Sequence, residues 1–143
     1  MSFSEWKEVK FQELYAEPSR NGLTKPKKVR GQGIKFVNMG ELFSYDRIGE
    51  QSMNLAPVTI KERENFLLKE GDLLFARQSL VREGAGKCSI ILKHKEEMTY
   101  DSHLIRVRLN KNVADPKFYY YFFKAPQGKD AISTIVEQVA AAG

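Results

Sequence analysis

Residues 71–92, GDLLFARQSLVREGAGKCSIIL, decide the fold because they place two apolar runs on either side of a polar loop. The runs at 72–76 and 87–92 have the length and composition of β-strands, and glycines and charged residues bound them. We therefore predict a β-hairpin here, with a basic loop at its tip. The rest of the chain is interpreted around this hairpin.

The loop of the hairpin has side chains that suit a nucleic acid. Arg77, Gln78, Ser79 and Arg82 are candidates for reading base edges, because Arg and Gln can form paired hydrogen bonds with guanine and adenine. Lys87 is a candidate for a phosphate contact. Taken alone, these residues fit an ordinary solvated hairpin better than a DNA-reading loop.

A second basic segment precedes the hairpin at 17–32, EPSRNGLTKPKKVRGQ. Its prolines and glycines predict an irregular loop instead of a helix or strand. Such a loop either lies over an anionic partner or is a solvated arm, and its density of cations favours the partner. The candidate phosphate-binding residues are Lys25, Lys27, Lys28 and Arg30, with Thr24 and the nearby Asn38 as weaker candidates.

The remaining segments alternate between strand and helix patterns. We predict a strand at 34–38, an irregular polar stretch at 41–57, and a short helix at 59–66 that Thr59 and Glu62 begin with a capping box. Residues 98–109 are predicted to form one strand. On that strand the alternation of apolar and charged residues places Arg106 and Arg108 on the solvent face.

Two helices are predicted near the end of the chain. Asp115 and Pro116 form a typical helix start, with the aspartate as N-cap and the proline in the first turn. The second helix is expected at 129–142, where apolar residues recur with helical spacing. The aromatic residues expected to be buried by the first helix are Phe118, Tyr119, Phe122 and Phe123.

Composition places the chain among small single-domain proteins. It has 143 residues, of which 42% are hydrophobic, and a net charge of +5, which permits a polyanionic partner without requiring one. Cys88 is its only cysteine, and its two histidines, His94 and His103, show no metal-ligand spacing. No apolar run approaches the ~20 residues of a membrane span and no signal peptide is evident, so we expect a cytoplasmic setting.

Catalytic patterns are weak throughout the sequence. Asp101, Ser102 and His103 contain the residue types of a hydrolase triad, but neighbours in a strand rarely converge. The GAGK segment at 84–87 fails as a phosphate loop because Val81 and Cys88 occupy positions that require Gly and Ser or Thr. We therefore predict no enzymatic activity, no cofactor and no metal site.

The order of several motifs resembles one protein family over nearly the whole chain. The motifs are W-x-x-V-x-x-x-E-L at 6–14, IKFVNMGELF, the hairpin frame GDLLFAR…GK, SHLIRVRLN, FYYYFFKAPQGK and the closing EQVAAAG. Each is loose alone, and their order and spacing make the match specific. The chain thereby resembles a target recognition domain of a type I restriction-modification DNA specificity subunit.

This resemblance implies an α/β (α+β) fold with a twisted, mostly antiparallel sheet region and C-terminal helices. It also implies a non-catalytic DNA-binding domain over 1–143 that reads one half of a bipartite double-stranded DNA site. The implied partners are the methyltransferase (modification) subunits, which methylate adenine with S-adenosylmethionine, and indirectly the restriction subunit. We therefore expect the sequence to be the N-terminal half or a fragment of such a subunit, without the family's spacer helix and second recognition domain.

Alternative functions remain open at this point. Type IIB and IIG systems use similar recognition domains, and the aromatic helix could belong to a protein-interaction module without DNA specificity. Single-strand binding through the aromatic residues at 118–123 is a further class, which requires those rings to be exposed. Salt-dependent affinity for duplex DNA separates the leading function from the interaction module.

Overall fold

The computed structural model describes residues 11–77 and 87–128, which form mixed sheets with helices packed against them. Short 3₁₀-helices lie at Phe11–Leu14 and Lys27–Val29. The α-helices of these ranges are α1 (Met39–Ser44), α2 (Ile60–Phe66) and α3 (Pro116–Lys124). The strands are β1 (Tyr15–Asn21), β2 (Ile34–Val37), β3 (Arg47–Ile48), β4 (Leu55–Ala56), β5 (Leu73–Ala76), β6 (Cys88–Ile91), β7 (Met98–Tyr100) and β8 (Leu104–Leu109).

The predicted hairpin is present at the centre of the larger sheet. Strands β5 and β6 pair antiparallel, with Phe75 opposite Cys88. Strand β8 pairs antiparallel with the other side of β5, and β1 pairs antiparallel with β8. Strand β3 adds to β6 in parallel, so the order of this sheet is β1-β8-β5-β6-β3.

A smaller sheet stands beside it in the order β4-β2-β7. Strand β2 pairs antiparallel with β4 and parallel with β7. Because β7 leads directly into β8, the chain passes from the small sheet to the large one through residues 101–103. Most strand pairs are antiparallel, and the predicted mixed α/β fold class is confirmed.

Strand β5 is buried on both faces. Leu73 and Phe75 belong to an apolar cluster that includes residues of α3. Leu74 and Ala76 belong to a second cluster that contains residues of α1 and β7. A strand with continuous apolar sequence is what burial on both faces requires, so the hairpin sequence fixes the position of the core.

The prediction that 17–32 contains no regular element is wrong for its first residues. Strand β1 includes Pro18, although proline removes a backbone donor. This is tolerated because, among the described strands, β1 pairs with β8 alone and lies at the edge of the sheet. The register also shifts between Tyr15 and Glu17 and again between Glu17 and Arg20, which accommodates the irregular sequence.

The stretch 41–57, predicted to be irregular, contains most of α1 together with β3 and β4. The first turn of α1 is held by the Asn38 backbone N–H, which donates to Glu41 Oε1 at 2.7 Å. Leu42 is fully buried, whereas its neighbour Phe43 is 51% exposed. The short lengths of these elements explain why no periodicity was visible in the sequence.

Residues 98–109 form two strands in different sheets, not one, and neither arginine of β8 lies on a solvent face. Arg106 is completely buried. Arg108 donates from Nε and Nη2 to the two carboxylate oxygens of Asp72, both at 2.8 Å. Glu17 on β1 accepts from Arg108 at 3.1 Å and lies 3.0 Å from Arg106. The prediction failed because β8 lies between two other strands and is covered on both faces.

The starts of α2 and α3 were predicted correctly, but the buried face of α3 was not. Thr59 and Glu62 form the expected capping box of α2, and the Asp115 side chain accepts from the Lys117 N–H at 3.0 Å. Phe118 is 58% exposed, whereas Tyr120 is buried. The buried positions of α3 are Pro116, Tyr119, Tyr120 and Phe123, with Phe122 half-buried.

The second predicted helix, at 129–142, lies outside the described residues. Within the ranges that are described, no helix has the length and apolar character needed to cross a membrane.

Candidate nucleic-acid interface

Several chain segments converge at the loop end of the central hairpin. The Arg77 backbone N–H, just after β5, donates to the carbonyl oxygen of His103 at 2.8 Å. The Ser102 N–H donates to the carbonyl of Leu23 at 2.9 Å, which places the start of the basic segment against the same turn. The Asp101 N–H donates to the carbonyl of Val37 at 2.9 Å. The end of β5, the β7–β8 turn, the basic segment and the end of β2 therefore meet at one place.

We call this place the convergent edge and define it by Thr24, Asn38, Arg77, Ser102 and His103. It unites Arg77 from the hairpin with both weaker sequence candidates. Thr24 Oγ1 donates to Ser102 Oγ at 3.1 Å, and the Asn38 side-chain amide lies 3.4 Å from the Phe36 carbonyl. Both polar side chains thus have positions fixed by the scaffold.

Arg77 is exposed at this edge. No side-chain hydrogen bond or ion pair holds its guanidinium within the part of the chain that the structure describes. A planar guanidinium on a fixed backbone suits paired hydrogen bonding to a guanine edge. The other predicted base-reading residues, Gln78, Ser79 and Arg82, lie outside the described residues.

The basic segment divides into cations bound within the fold and cations that face solvent. Lys25 Nζ lies 2.9 and 3.2 Å from the two carboxylate oxygens of Glu62. Arg30 Nε donates to the Lys25 carbonyl at 2.8 Å, and its guanidinium lies 5.1 Å from the centre of the Phe36 ring. These contacts hold the segment against α2 and β2.

The Glu62 carboxylate is itself stabilised in its charged form. A hydrogen bond from the Thr59 backbone and then one from Lys25 lower the pKa of Glu62. Lys27 and Lys28, in the 3₁₀-helix that follows, are exposed. The two lysines are the members of this segment best placed for a phosphate backbone, while Lys25 and Arg30 shape the loop.

Lys87 lies at the start of β6, next to the hairpin loop, but its ammonium group is bound to the Asp46 carboxylate. Lys124 of α3 donates to the other oxygen of Asp46 at 2.9 Å and to the Tyr120 hydroxyl at 3.0 Å. Arg47, the next residue after Asp46, donates to the Tyr121 hydroxyl at 2.6 Å. The group contains three cations and one carboxylate, so positive charge remains in excess beside the hairpin.

This arrangement makes a testable prediction about pH. Hydrogen bonds from Lys87 and then Lys124 lower the pKa of Asp46 to about 2. A depressed carboxyl pKa adds stability above the unfolded-state value, and this stability is lost as pH falls towards 2. We expect the titration midpoint of the Asp46 carboxyl, followed by ¹³C NMR, to lie at higher pH in Lys87→Met than in the wild-type protein. The control Lys111→Met should leave the midpoint unchanged. An unchanged midpoint in Lys87→Met would show that the ion pair does not form in solution.

His103 lies at the convergent edge but was not among the interface residues predicted from the sequence. His103 Nδ1 lies 2.6 Å from Asp101 Oδ2, and the same oxygen accepts the His103 backbone N–H at 2.8 Å. The residue types suggested only a hydrolase triad and, for His103, a metal ligand, and the spacing supported neither role. An aspartate two residues before a histidine is a known turn-forming pattern, and this signal could have identified the pair.

Features that could support catalysis are limited in the described ranges. Ser102 contacts Thr24 through its hydroxyl. The Cys88 thiol is buried, and burial raises its pKa, which disfavours the reactive thiolate. Among residues 11–77 and 87–128, no three potential ligands form a group that could hold a metal ion.

Comparison with known proteins shows a sequence similarity to one specificity subunit. No family model matches the chain. The specificity subunit of the type I restriction enzyme EcoKI from Escherichia coli strain K12 is 27% identical over 135 residues. The matched region covers 94% of this chain but 28% of that protein, so the chain spans less than a third of its relative.

Solved structures give a relationship in fold. One similar chain comes from a type I restriction-modification system studied for its assembly and conformational transition, with a TM-score of 0.54 and 13% identity over 91% of this chain and 37% of that chain. Another is the HsdS subunit of Thermoanaerobacter tengcongensis, with a TM-score of 0.53 and 10% identity over 87% of this chain and 35% of that chain. At such low identity these likenesses concern the fold alone. Taken with the sequence match, they confirm the predicted resemblance: the chain is similar in sequence and fold to a segment of the specificity subunits of type I restriction enzymes.

Proposed function

We propose that this chain is a target recognition domain that reads one half of a bipartite double-stranded DNA site for a type I restriction-modification complex. The observation that carries the proposal is the convergent edge. Arg77 stands exposed there directly after β5, with its backbone bonded to His103, and the basic segment is bonded to the neighbouring Ser102. A base-reading side chain flanked by phosphate-binding cations is the arrangement that duplex recognition requires.

We assign roles to the individual residues from their residue types and, where the structure describes them, from their exposure and contacts. Arg77 reads a base edge, and we assign the same role to Gln78, Ser79 and Arg82 of the hairpin loop. Lys27 and Lys28 contact phosphates, because both are exposed. Lys25, Arg30 and Lys87 add to the positive potential while their side chains hold the interface in shape.

The proposed domain comprises residues 1–143 and has no catalytic role of its own. Its partners in this proposal are modification subunits, which would carry out methylation, and through them a restriction subunit. In this scheme the chain needs no cofactor and acts in the cytoplasm. The sequence relationship to a specificity subunit supports this division of labour.

The test is selection from a random duplex pool at low salt, with and without the cognate modification subunit. Enrichment of a short motif in either condition supports the proposal. Enrichment only with the added subunit would mean that the domain reads DNA but relies on its complex for affinity. If the folded protein enriches no motif in either condition, the proposal is wrong.

Replacing Lys28 by alanine should weaken binding to all duplexes alike. A lysine that contacts one phosphate contributes ~0.9 to the slope of log affinity against log salt, so the slope should decrease by about one. Affinity is measured at several salt concentrations for the selected duplex and for a scrambled one. Lys111→Ala is the matched control, because Lys111 donates to the Glu70 carbonyl beyond the opposite end of β8. A slope that changes equally in both variants would contradict the assignment of Lys28.

A further inference from the structure

The β7–β8 turn holds an imidazole in a defined orientation. One oxygen of Asp101 accepts two hydrogen bonds from His103, from its backbone N–H at 2.8 Å and from its ring Nδ1 at 2.6 Å. The Asp101 side chain is 9% exposed, whereas the His103 side chain is 51% exposed. A buried carboxylate therefore fixes a half-exposed ring.

The contact also determines what the ring can offer to a ligand. A carboxylate is an acceptor, so Nδ1 carries the proton of this hydrogen bond. In the neutral imidazole Nε2 is then an acceptor, and its direction is set by the partner of Nδ1. Within residues 11–77 and 87–128 no hydrogen bond engages Nε2 of His103.

His103 and Arg77 are neighbours at the convergent edge. Their backbones are joined by the hydrogen bond from the Arg77 N–H to the His103 carbonyl at 2.8 Å. Strand pairing between β5 and β8 ends with Ala76 opposite Leu104, and Arg77 and His103 are the next residues of the two segments. Both side chains are exposed. The two side chains are thus placed to act on adjacent parts of one ligand.

We propose that His103 is a second specificity-determining residue, which accepts a hydrogen bond from a base next to the one that Arg77 reads. Arg77 offers only donors, whereas neutral His103 offers an acceptor at Nε2, so together they distinguish different base edges. The complementary groups in the major groove are the exocyclic amino groups of adenine and cytosine. Asp101 is a positioning residue that acts through the ring. This inference rests on the proposed function.

The experiment compares the full chain with His103→Ala on the selected duplex and on duplexes in which each base pair is replaced in turn. At one base pair, we expect His103→Ala to lower the ratio of affinities for the selected and the replaced base by roughly 3- to 10-fold. A change of this size corresponds to the loss of one hydrogen bond. That base pair should adjoin the one at which Arg77→Ala loses discrimination. His94→Ala is the matched control, because His94 is the other histidine and its Nδ1 lies 2.8 Å from the Leu92 carbonyl, after the far end of β6.

A base analogue tests the direction of the hydrogen bond. Removing the exocyclic amino group at the affected base should lower the affinity of the wild-type protein for the duplex as much as His103→Ala does. The same analogue should have no further effect on His103→Ala. A wild-type protein that tolerates the analogue overturns the assignment of Nε2 as acceptor.

Asp101→Asn separates positioning from support of the fold. If Asp101 acts through the ring, Asp101→Asn should alter base discrimination when it is introduced into the wild-type protein. Introduced into His103→Ala, it should cause no further change in base discrimination. Additive effects in the two backgrounds would instead indicate a merely structural role and overturn the positioning assignment. Circular dichroism of each variant confirms that it is folded.

The remaining outcomes distinguish this inference from the proposed function. If Arg77→Ala relaxes one base pair and His103→Ala relaxes none, the inference is wrong and the proposed function stands. Equal weakening of all duplexes by His103→Ala also overturns base reading by this residue. If the wild-type protein shows no sequence preference, it is the proposed function that fails.

Discussion

Replacing Arg77 by alanine should lower affinity for the selected half-site by about 1–3 kcal/mol and relax preference at one base pair. The side chain is exposed, while its backbone is fixed to His103 by a 2.8 Å hydrogen bond, so the guanidinium extends from a rigid support. Arg77→Ala removes the paired hydrogen bonds to a guanine. Affinity therefore falls more for a duplex with the selected base than for one with a different base. The measurement is affinity for the selected duplex and for each single-base-pair variant of it.

Two companion variants sharpen this prediction. Arg77→Lys retains the positive charge but loses the planar fork, so it should bind random DNA normally and still lose base preference. Arg63→Ala removes a surface arginine that pairs with Glu97 on the small-sheet side, and it should leave base preference unchanged. If Arg77→Ala lowers affinity for selected and random duplexes equally, Arg77 contacts phosphate and the base-reading assignment fails.

Replacing Asp72 by alanine should destabilise the fold by about 3–5 kcal/mol, because it leaves a largely buried arginine without its main partner. Asp72 is 1% exposed and accepts two 2.8 Å hydrogen bonds from Arg108, as well as one of 2.8 Å from the Lys69 N–H. Glu17 remains within 3.1 Å of Arg108, which favours the lower end of this range. Urea unfolding followed by circular dichroism measures the change in the free energy of unfolding.

Asp115→Ala provides the matched comparison for Asp72. It also removes a carboxylate that accepts a backbone N–H, but at the exposed start of α3, where a lost N-cap costs about 1 kcal/mol. If Asp72→Ala lowers the free energy of unfolding no more than Asp115→Ala does, the ion pair between Asp72 and Arg108 contributes little to stability. A selective loss in Asp72→Ala would identify this pair as the link between β8 and the segment before β5.

Local patterns predicted the elements whose causes are local. The capping box of Thr59 and Glu62 and the start of α3 at Asp115 are specified by residues within one turn of each other. The central hairpin was predicted because its strands are long apolar runs. Strand β1 was missed because its only partner, β8, lies far away in the sequence and supplies the hydrogen bonds that its own composition does not predict.

The buried face of α3 shows a different limit. The segment FYYYFF carries aromatic rings at every position, so hydrophobicity alone could not select a face. The fold buries Tyr120 and leaves Phe118 exposed, and the Tyr120 hydroxyl is satisfied by Lys124 at 3.0 Å. A polar group with a partner is compatible with burial, and that partner becomes apparent only when the helix is in place.

The candidate interface stays a prediction. Sequence composition proposed Arg77 and the basic segment as candidates, but it treated all the lysines there as equivalent. The structure separates Lys25 and Lys87, which bind Glu62 and Asp46, from the solvent-facing Lys27 and Lys28. Those carboxylates are distant in sequence, so no local pattern could reveal the pairing. His103 was not a candidate for a similar reason, because only the folded chain places it next to Arg77.

The pairing of β1 with β8 has a consequence for how the protein emerges from the ribosome. Tyr15 is opposite Leu109, so the first strand cannot be paired until most of the chain has been synthesised. At about 5–20 residues per second, this delay is on the order of ten seconds. During that interval the basic segment is already outside the ribosome, and Lys25 precedes Glu62, its carboxylate partner. The nascent chain therefore presents a segment of net positive charge, in which Lys25 lacks its partner, until translation supplies Glu62 and the central strand.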